Sequence, residues 1–315
     1  MAAVRILGLA VAAIAVPIFG WSMDTGETEE GALCGGRPYA RISVPDGAAP
    51  YIELTADGIT GPFLLDYGAT HSSLSAAVFS GQDGSMRTAA ISLPGLEKTD
   101  FHLTRYYLLL QPGKGQIGVI GDDILSQFTV ELTHDKAFLS PGACRPEMLA
   151  GRGLTPIAQD GFFSADPAKT GRGLPNVPVV FLRLGGIRAW AQLDTGYEDF
   201  VYSHSVDINQ ALLDRLVARG VTLERINDID IWTCDGREHR PVYRIMGRPL
   251  TIENESGKEI VETENFHLVV KSPNACGGIA DMTEPAAQLG ASFLGLFGNV
   301  VFDPRNTTVW IGGPR

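Results

Sequence analysis

With 315 residues the chain is long enough for two domains with well-buried cores. A hydrophobic content of 44% together with 37 glycines describes a turn-rich globular protein. The net charge of −11 argues against nucleic acid or an anionic membrane surface as a partner.

Residues 1–30 read as a signal peptide and an acidic spacer. Arg5 precedes the apolar stretch Ile6–Phe19, which is short for a membrane span and fits a secretory signal; an uncleaved N-terminal anchor is the alternative. Residues 31–147 read as a first β lobe, with strands at Tyr51–Ala56, Pro62–Asp66, Ala89–Leu93, Phe101–Leu110, Gln116–Ile120 and Phe128–Leu132. Asp57-Gly58, Pro94-Gly95 and Pro112-Gly113 mark turns between them. Short helices fit Ser73–Phe79 and Asp122–Gln127.

Residues 148–176, rich in Gly, Pro, Ala and Asp, read as a linker to a second β lobe over 177–315. That lobe opens with strands at Val177–Leu184 and Ala189–Asp194. The spacing of Ile208, Leu212, Leu213, Leu216 and Val217 predicts a helix, with Asp207 as its N-cap and Gly220 as its stop. Strands resume at Val242–Met246, Leu250–Glu253, Ile260–Glu262 and Phe266–Val270, and again from Asn299 onward. This succession of short strands and turns predicts an all-β fold with a few short helices, not alternating β and α units.

An internal repeat runs through this pattern. Residues 50–68 and 178–196, laid over each other without a gap, match at seven of nineteen positions, including Leu65/Leu193, Asp66/Asp194 and Gly68/Gly196. Each copy places an aspartate after an apolar run and a glycine two residues further on. A second element follows each: Val119-Ile120-Gly121-Asp122-Asp123-Ile124-Leu125 in the first half and Gln288-Leu289-Gly290-Ala291-Ser292-Phe293-Leu294 in the second. Such a repeat predicts two similar lobes related by an approximate twofold axis, which can bring distant carboxylates face to face. Four cysteines in an exported protein suggest disulfides, and four allow three connectivities. One pair brackets the first repeat and the other follows the second aspartate, so Cys34–Cys144 and Cys234–Cys276 would each staple one lobe.

The order of these four elements resembles that of the pepsin and retropepsin group of aspartic proteases, over roughly residues 37–315. The resemblance implies a two-lobed pepsin-like architecture and an aspartic-type endopeptidase with Asp66 and Asp194 as its catalytic dyad. It implies a polypeptide substrate, no cofactor, and a monomer that carries both halves of the site. Thr195 matches the residue that braces the paired loops, and Gly68 and Gly196 match those that permit the turn. Tyr67 stands where the group carries Thr or Ser, and Tyr197 where a small residue usually follows the glycine. These departures keep an alternative open, a catalytically inactive pseudo-protease that binds a peptide or protein partner. Replacing Tyr67 by Thr is expected to leave folding intact. The segment Ile91–Tyr106 is the candidate for a hairpin covering the site, and no substrate-binding residue is assigned.

Rival chemistries find little support. The six histidines have no metal-ligand spacing, and neither a Gly-x-Ser-x-Gly elbow nor a phosphate-binding Gly-x-x-x-x-Gly-Lys loop occurs. Asp122-Asp123 reads as the acidic first turn of a helix, favoured by the helix dipole, in preference to a cation site.

Overall fold

The two repeated segments fold as the same hairpin. A computed structural model describes residues 33–44, 47–106, 115–159, 177–197, 201–202, 204–233, 236–273, 275 and 278–312. In it Asp57-Gly58 joins strand Gly47–Ala56 to Ile59–Leu65, and Gly185-Gly186 joins Val179–Leu184 to Ile187–Leu193. All four turn residues have positive φ, at 48°, 79°, 57° and 77° in chain order. That backbone suits a two-residue turn whose twist matches the flanking strands, and Asp-Gly and Gly-Gly supply it at least cost.

The likeness continues beyond the turn. Each second strand pairs in parallel with the strand carrying the later repeated element, Gly118–Ile120 or Ala286–Leu289. That strand pairs antiparallel with a short strand after the Asp-x-Gly loop, Ser73–Ser75 or Ser205–Ile208. The short strand in turn runs parallel to Asp100–Tyr106 or His267–Val270. The sequence repeat is therefore a repeat of topology.

The fold is mostly β, built as a twelve-stranded and a nine-stranded mixed sheet with a few short helices. The last two strands, Asn299–Asp303 and Thr308–Gly312, belong to the twelve-stranded sheet, where they pair with Thr129–Leu132 and Leu154–Ile157. The end of the chain is thus hydrogen-bonded to its first half. Residues 32–315 form one unit, and a continuous apolar core draws Leu65, Phe128, Leu193, Phe293 and Phe302 from both halves. The Cys34–Cys144 disulfide ties the chain ahead of strand Arg37–Val44 to the segment after Lys136–Ser140. Residues 1–30, most of the 148–176 linker and the Cys234–Cys276 pair lie outside the described residues. Among the described residues no helix is long and apolar enough to cross a membrane.

Several expectations need correction. Ser73–Phe79 is not a helix: Ser73–Ser75 is a strand with neighbours on both sides, whose ladders satisfy its backbone as a helix would have done. The second-half helix spans Gln210–Ala218 and is capped by Asn209, whose side chain accepts from Leu212 N at 3.0 Å. Asp207 instead lies in strand Ser205–Ile208 with its carboxyl buried. Strands Met86–Ala90 and Asp100–Tyr106 do form a hairpin, but Ile91 and Leu93 in its connection are packed into the core. That connection is anchored at Ile91 and Leu93.

Candidate functional site

Each Asp-x-Gly loop hangs from its own sheet by matching bonds. Asp66 N donates to Ile120 O and Asp194 N to Leu289 O, both at 2.9 Å. Asp122 N then donates to Ala69 O at 2.8 Å, and Ala291 N to Tyr197 O at 2.9 Å. The glycine of the second element is required here. A methyl on Gly121 would fall 2.6 Å from Ala69 O, and one on Gly290 would fall 2.6 Å from Tyr197 O.

The two loops meet. A methyl on Gly68 would lie 2.2–2.3 Å from the carboxyl atoms of Asp194, and one on Gly196 would lie 2.3–2.5 Å from those of Asp66. Only a residue without a side chain allows this approach. Asp66 and Asp194 sit close enough for each carboxyl to perturb the other's proton affinity. Asp66 Oδ1 accepts from Gly68 N at 2.7 Å, and Asp194 Oδ1 accepts from Gly196 N and Tyr197 N, both at 2.9 Å. Gln288 Nε2 donates to Asp194 Oδ2.

Burial raises both carboxyls above the ordinary aspartate range. For Asp194 the neighbouring Asp66 charge adds to burial and the rise is large; for Asp66 the amides of Gly68, Ala69 and Gly196 oppose it. Two such carboxyls titrate as a pair that retains one proton after the first is lost.

Thr195 locks the loops together. Its Oγ1 accepts from Tyr67 N at 3.0 Å and donates to Leu65 O at 2.6 Å, with the residue only 1% exposed. The opposite loop has no equivalent hydroxyl. The Tyr67 side chain instead points into the core, fully buried and stacked on Phe302 with ring centroids 3.8 Å apart and planes 17° from parallel. Its backbone takes part in bracing and its ring fills the core between halves of the chain. Tyr197 is also turned away from the carboxyls, its hydroxyl donating to Asp207 Oδ1 at 2.8 Å.

Several residues of this neighbourhood escape sequence reading. Asp207 Oδ2 accepts from Arg240 Nη1 at 2.7 Å, and Arg240 Nε donates to Glu238 Oε2 at 2.9 Å, with Arg240 itself buried. Gln192, Gln288, Asp207 and Lys271 complete a buried polar patch on the second sheet. The matching surface of the first sheet is apolar, formed by Ala49, Tyr51, Leu64 and Val119. The signal that was available is the replacement of Leu64 by Gln192 and of Val119 by Gln288 between the two copies.

Asp122 departs from expectation as well. It is fully buried, and its two carboxyl oxygens have no hydrogen-bond partner among the described residues. Burial first, then the charges of Asp66, Asp123 and Asp194, push it well above the ordinary range. Asp123 instead accepts from Ser72 N at 2.9 Å and Ser72 Oγ at 2.6 Å, which organises the turn. Among the described residues no cluster of three His, Cys, Asp or Glu is arranged to hold a metal ion, and His71 lies exposed. No family model matches the chain, and no curated protein matches it.

Proposed function

We propose that this protein is an aspartic endopeptidase of the pepsin and retropepsin kind, with a two-lobed architecture of that type. The observation that carries the reading is the contact between the two Asp-x-Gly loops, each glycine seated against the other loop's carboxyl. Desolvated carboxyls that share a proton are equipped for general acid and base catalysis in one step. A water held between Asp66 and Asp194 loses a proton to the ionised member as its oxygen attacks the substrate carbonyl. The protonated member donates to the carbonyl oxygen, giving a tetrahedral gem-diol. Transfer of a proton to the amide nitrogen and collapse of the diol release an amine and a carboxyl. Gly68, Gly196 and Thr195 hold the geometry that this requires.

The Cys34–Cys144 disulfide supports export to an oxidising compartment, in keeping with the N-terminal signal, either released or held by an uncleaved anchor. Both aspartates lie in one chain, so a monomer suffices. One observation favours a second reading, an inactive peptide-binding relative: the hydroxyl lock is present on one loop only, because Tyr67 occupies the other position. Incubation with an unfolded protein at acid to mildly acid pH separates the two. The proposal expects cleavage that is lost in both Asp66→Asn and Asp194→Asn. Binding without cleavage would establish the second reading, and cleavage undiminished in both variants would overturn the first.

A further inference from the structure

The polar patch beside Asp194 contains a buried cation, Lys271, that makes no hydrogen bond or ion pair among the described residues. Gln192 lies in strand Ile187–Leu193, two residues before Asp194. Gln288 is opposite Gln192, and Asp207 is opposite Gln288. Lys271 follows strand His267–Val270 and is fixed by a bond from its N–H to Ile208 O at 2.8 Å. Within this patch Asp207 is engaged by Tyr197 on one oxygen and by Arg240 on the other, while Arg240 also holds Glu238. Lys271 is 8% exposed, yet its ammonium makes no hydrogen bond or ion pair with any described residue; it only feels the charges of Asp207, Arg240, Asp194 and Glu238 at longer range.

Gln192 is 4% exposed, and its Oε1 is likewise without a partner among the described residues. Both groups lie beside Gly278. A methyl built on Gly278 would lie 3.2 Å from Gln192 Oε1 and 3.6 Å from Lys271 Nζ. A buried ammonium is costly unless an anion or several acceptors meet it. The first sheet offers nothing comparable, since Leu64 occupies the position that matches Gln192.

We propose that Lys271 and Gln192 form a carboxylate-binding subsite next to Asp194, and that Lys271 is a specificity-determining residue. The substrate group it receives is the carboxylate of an aspartate or glutamate beside the scissile bond, or a free chain terminus at that position. The Lys271 ammonium meets the charge, and the Gln192 amide rotates to present its N–H₂. The inference rests on the endopeptidase reading.

The test is the cleavage-site profile of a peptide library read by mass spectrometry, with the wild type compared with Lys271→Gln, Lys271→Glu and Gln192→Leu near pH 5.5. Wild type is expected to favour Asp or Glu over Asn or Gln at one flanking position by about tenfold or more, the scale of one charge-assisted hydrogen bond. Lys271→Gln flattens the preference, Lys271→Glu turns it toward Lys or Arg, and Gln192→Leu moves it toward apolar residues. Below the pKa of a free glutamate, about 4.3, the wild-type preference fades. Matched peptides with free and amidated C-termini distinguish a chain terminus from a side chain. A wild type that cuts with a flat profile, or variants that keep its preference, would overturn the subsite and leave the endopeptidase standing. A wild type that cuts no peptide would overturn both.

Discussion

The single hydroxyl of Thr195 carries a measurable part of the stability. Valine has the same shape, so Thr195→Val leaves the packing intact and removes both bonds made by Oγ1, to Tyr67 N–H and to the Leu65 carbonyl. Each backbone group loses that partner at a site 1% exposed, where water cannot readily replace it. A buried polar group left without its bond costs about 1–3 kcal/mol, so the pair costs roughly 2–6 kcal/mol. That is a large fraction of a total stability of about 5–15 kcal/mol. With a urea m value of about 3 kcal/mol/M, the unfolding midpoint falls by roughly 0.7–2 M. Thr195→Ser keeps the hydroxyl and loses one methyl group, for about 1 kcal/mol. Urea unfolding of the three proteins with the disulfide intact is the assay. Equal midpoints for the Val and Ser variants, or a Val loss below about 0.5 kcal/mol, would refute the reasoning that this hydroxyl joins the loops.

Gly68→Ala places a methyl 2.2 Å from Asp194 Cγ, where ordinary contact begins near 3.4 Å. The carboxyl must then move by about 1 Å, and proteolysis should fall on the order of 10²-fold with little change in melting temperature; activity within a factor of about three of wild type would count against the described approach. Asp122 keeps a proton in the folded state that the unfolded chain releases above about pH 3.9, so its contribution to stability falls as pH rises from there toward its raised value. Asp122→Asn should therefore gain more unfolding free energy at pH 7 than at pH 3, by about 1.4 kcal/mol for each unit of that rise, and an equal effect at both in denaturant unfolding would contradict the burial of an ionisable carboxyl. Tyr67→Thr removes a ring stacked on Phe302 and should cost about 3–5 kcal/mol in denaturant unfolding, whereas a loss under about 1 kcal/mol would show that the ring is not a core element.

The features legible in the sequence were those whose physics is local. Asp57-Gly58 advertises a hairpin because such a pair takes positive φ cheaply. The apolar spacing of Leu212 and Leu216 announces a helix because both face the core. Features set by distant partners were hidden. Asp207 looks like a cap until Tyr197 and Arg240 are seen to hold it inside the sheet. Strand Leu223–Thr233 is hard to read because it is an edge strand whose Glu224, Arg225, Asn227 and Asp230 are exposed, and only Ile229 and Ile231 show an alternating apolar face. The return of Asn299–Asp303 to the first half depends on pairing with Thr129–Leu132, far away in the chain. Lys271 carries no local mark at all, since an isolated lysine is most often a surface residue.

The most direct measurement is a carbon-13 carboxyl titration of Asp66 and Asp194 by NMR, in the wild type and in Asp66→Asn. The account predicts two well-separated steps in the wild type, the upper one well above the ordinary aspartate range, and a single lowered step for Asp194 once the Asp66 charge is gone. Two independent titrations near pH 4, with Asp194 unmoved by the Asp66 substitution, would contradict the shared proton on which the proposed function stands.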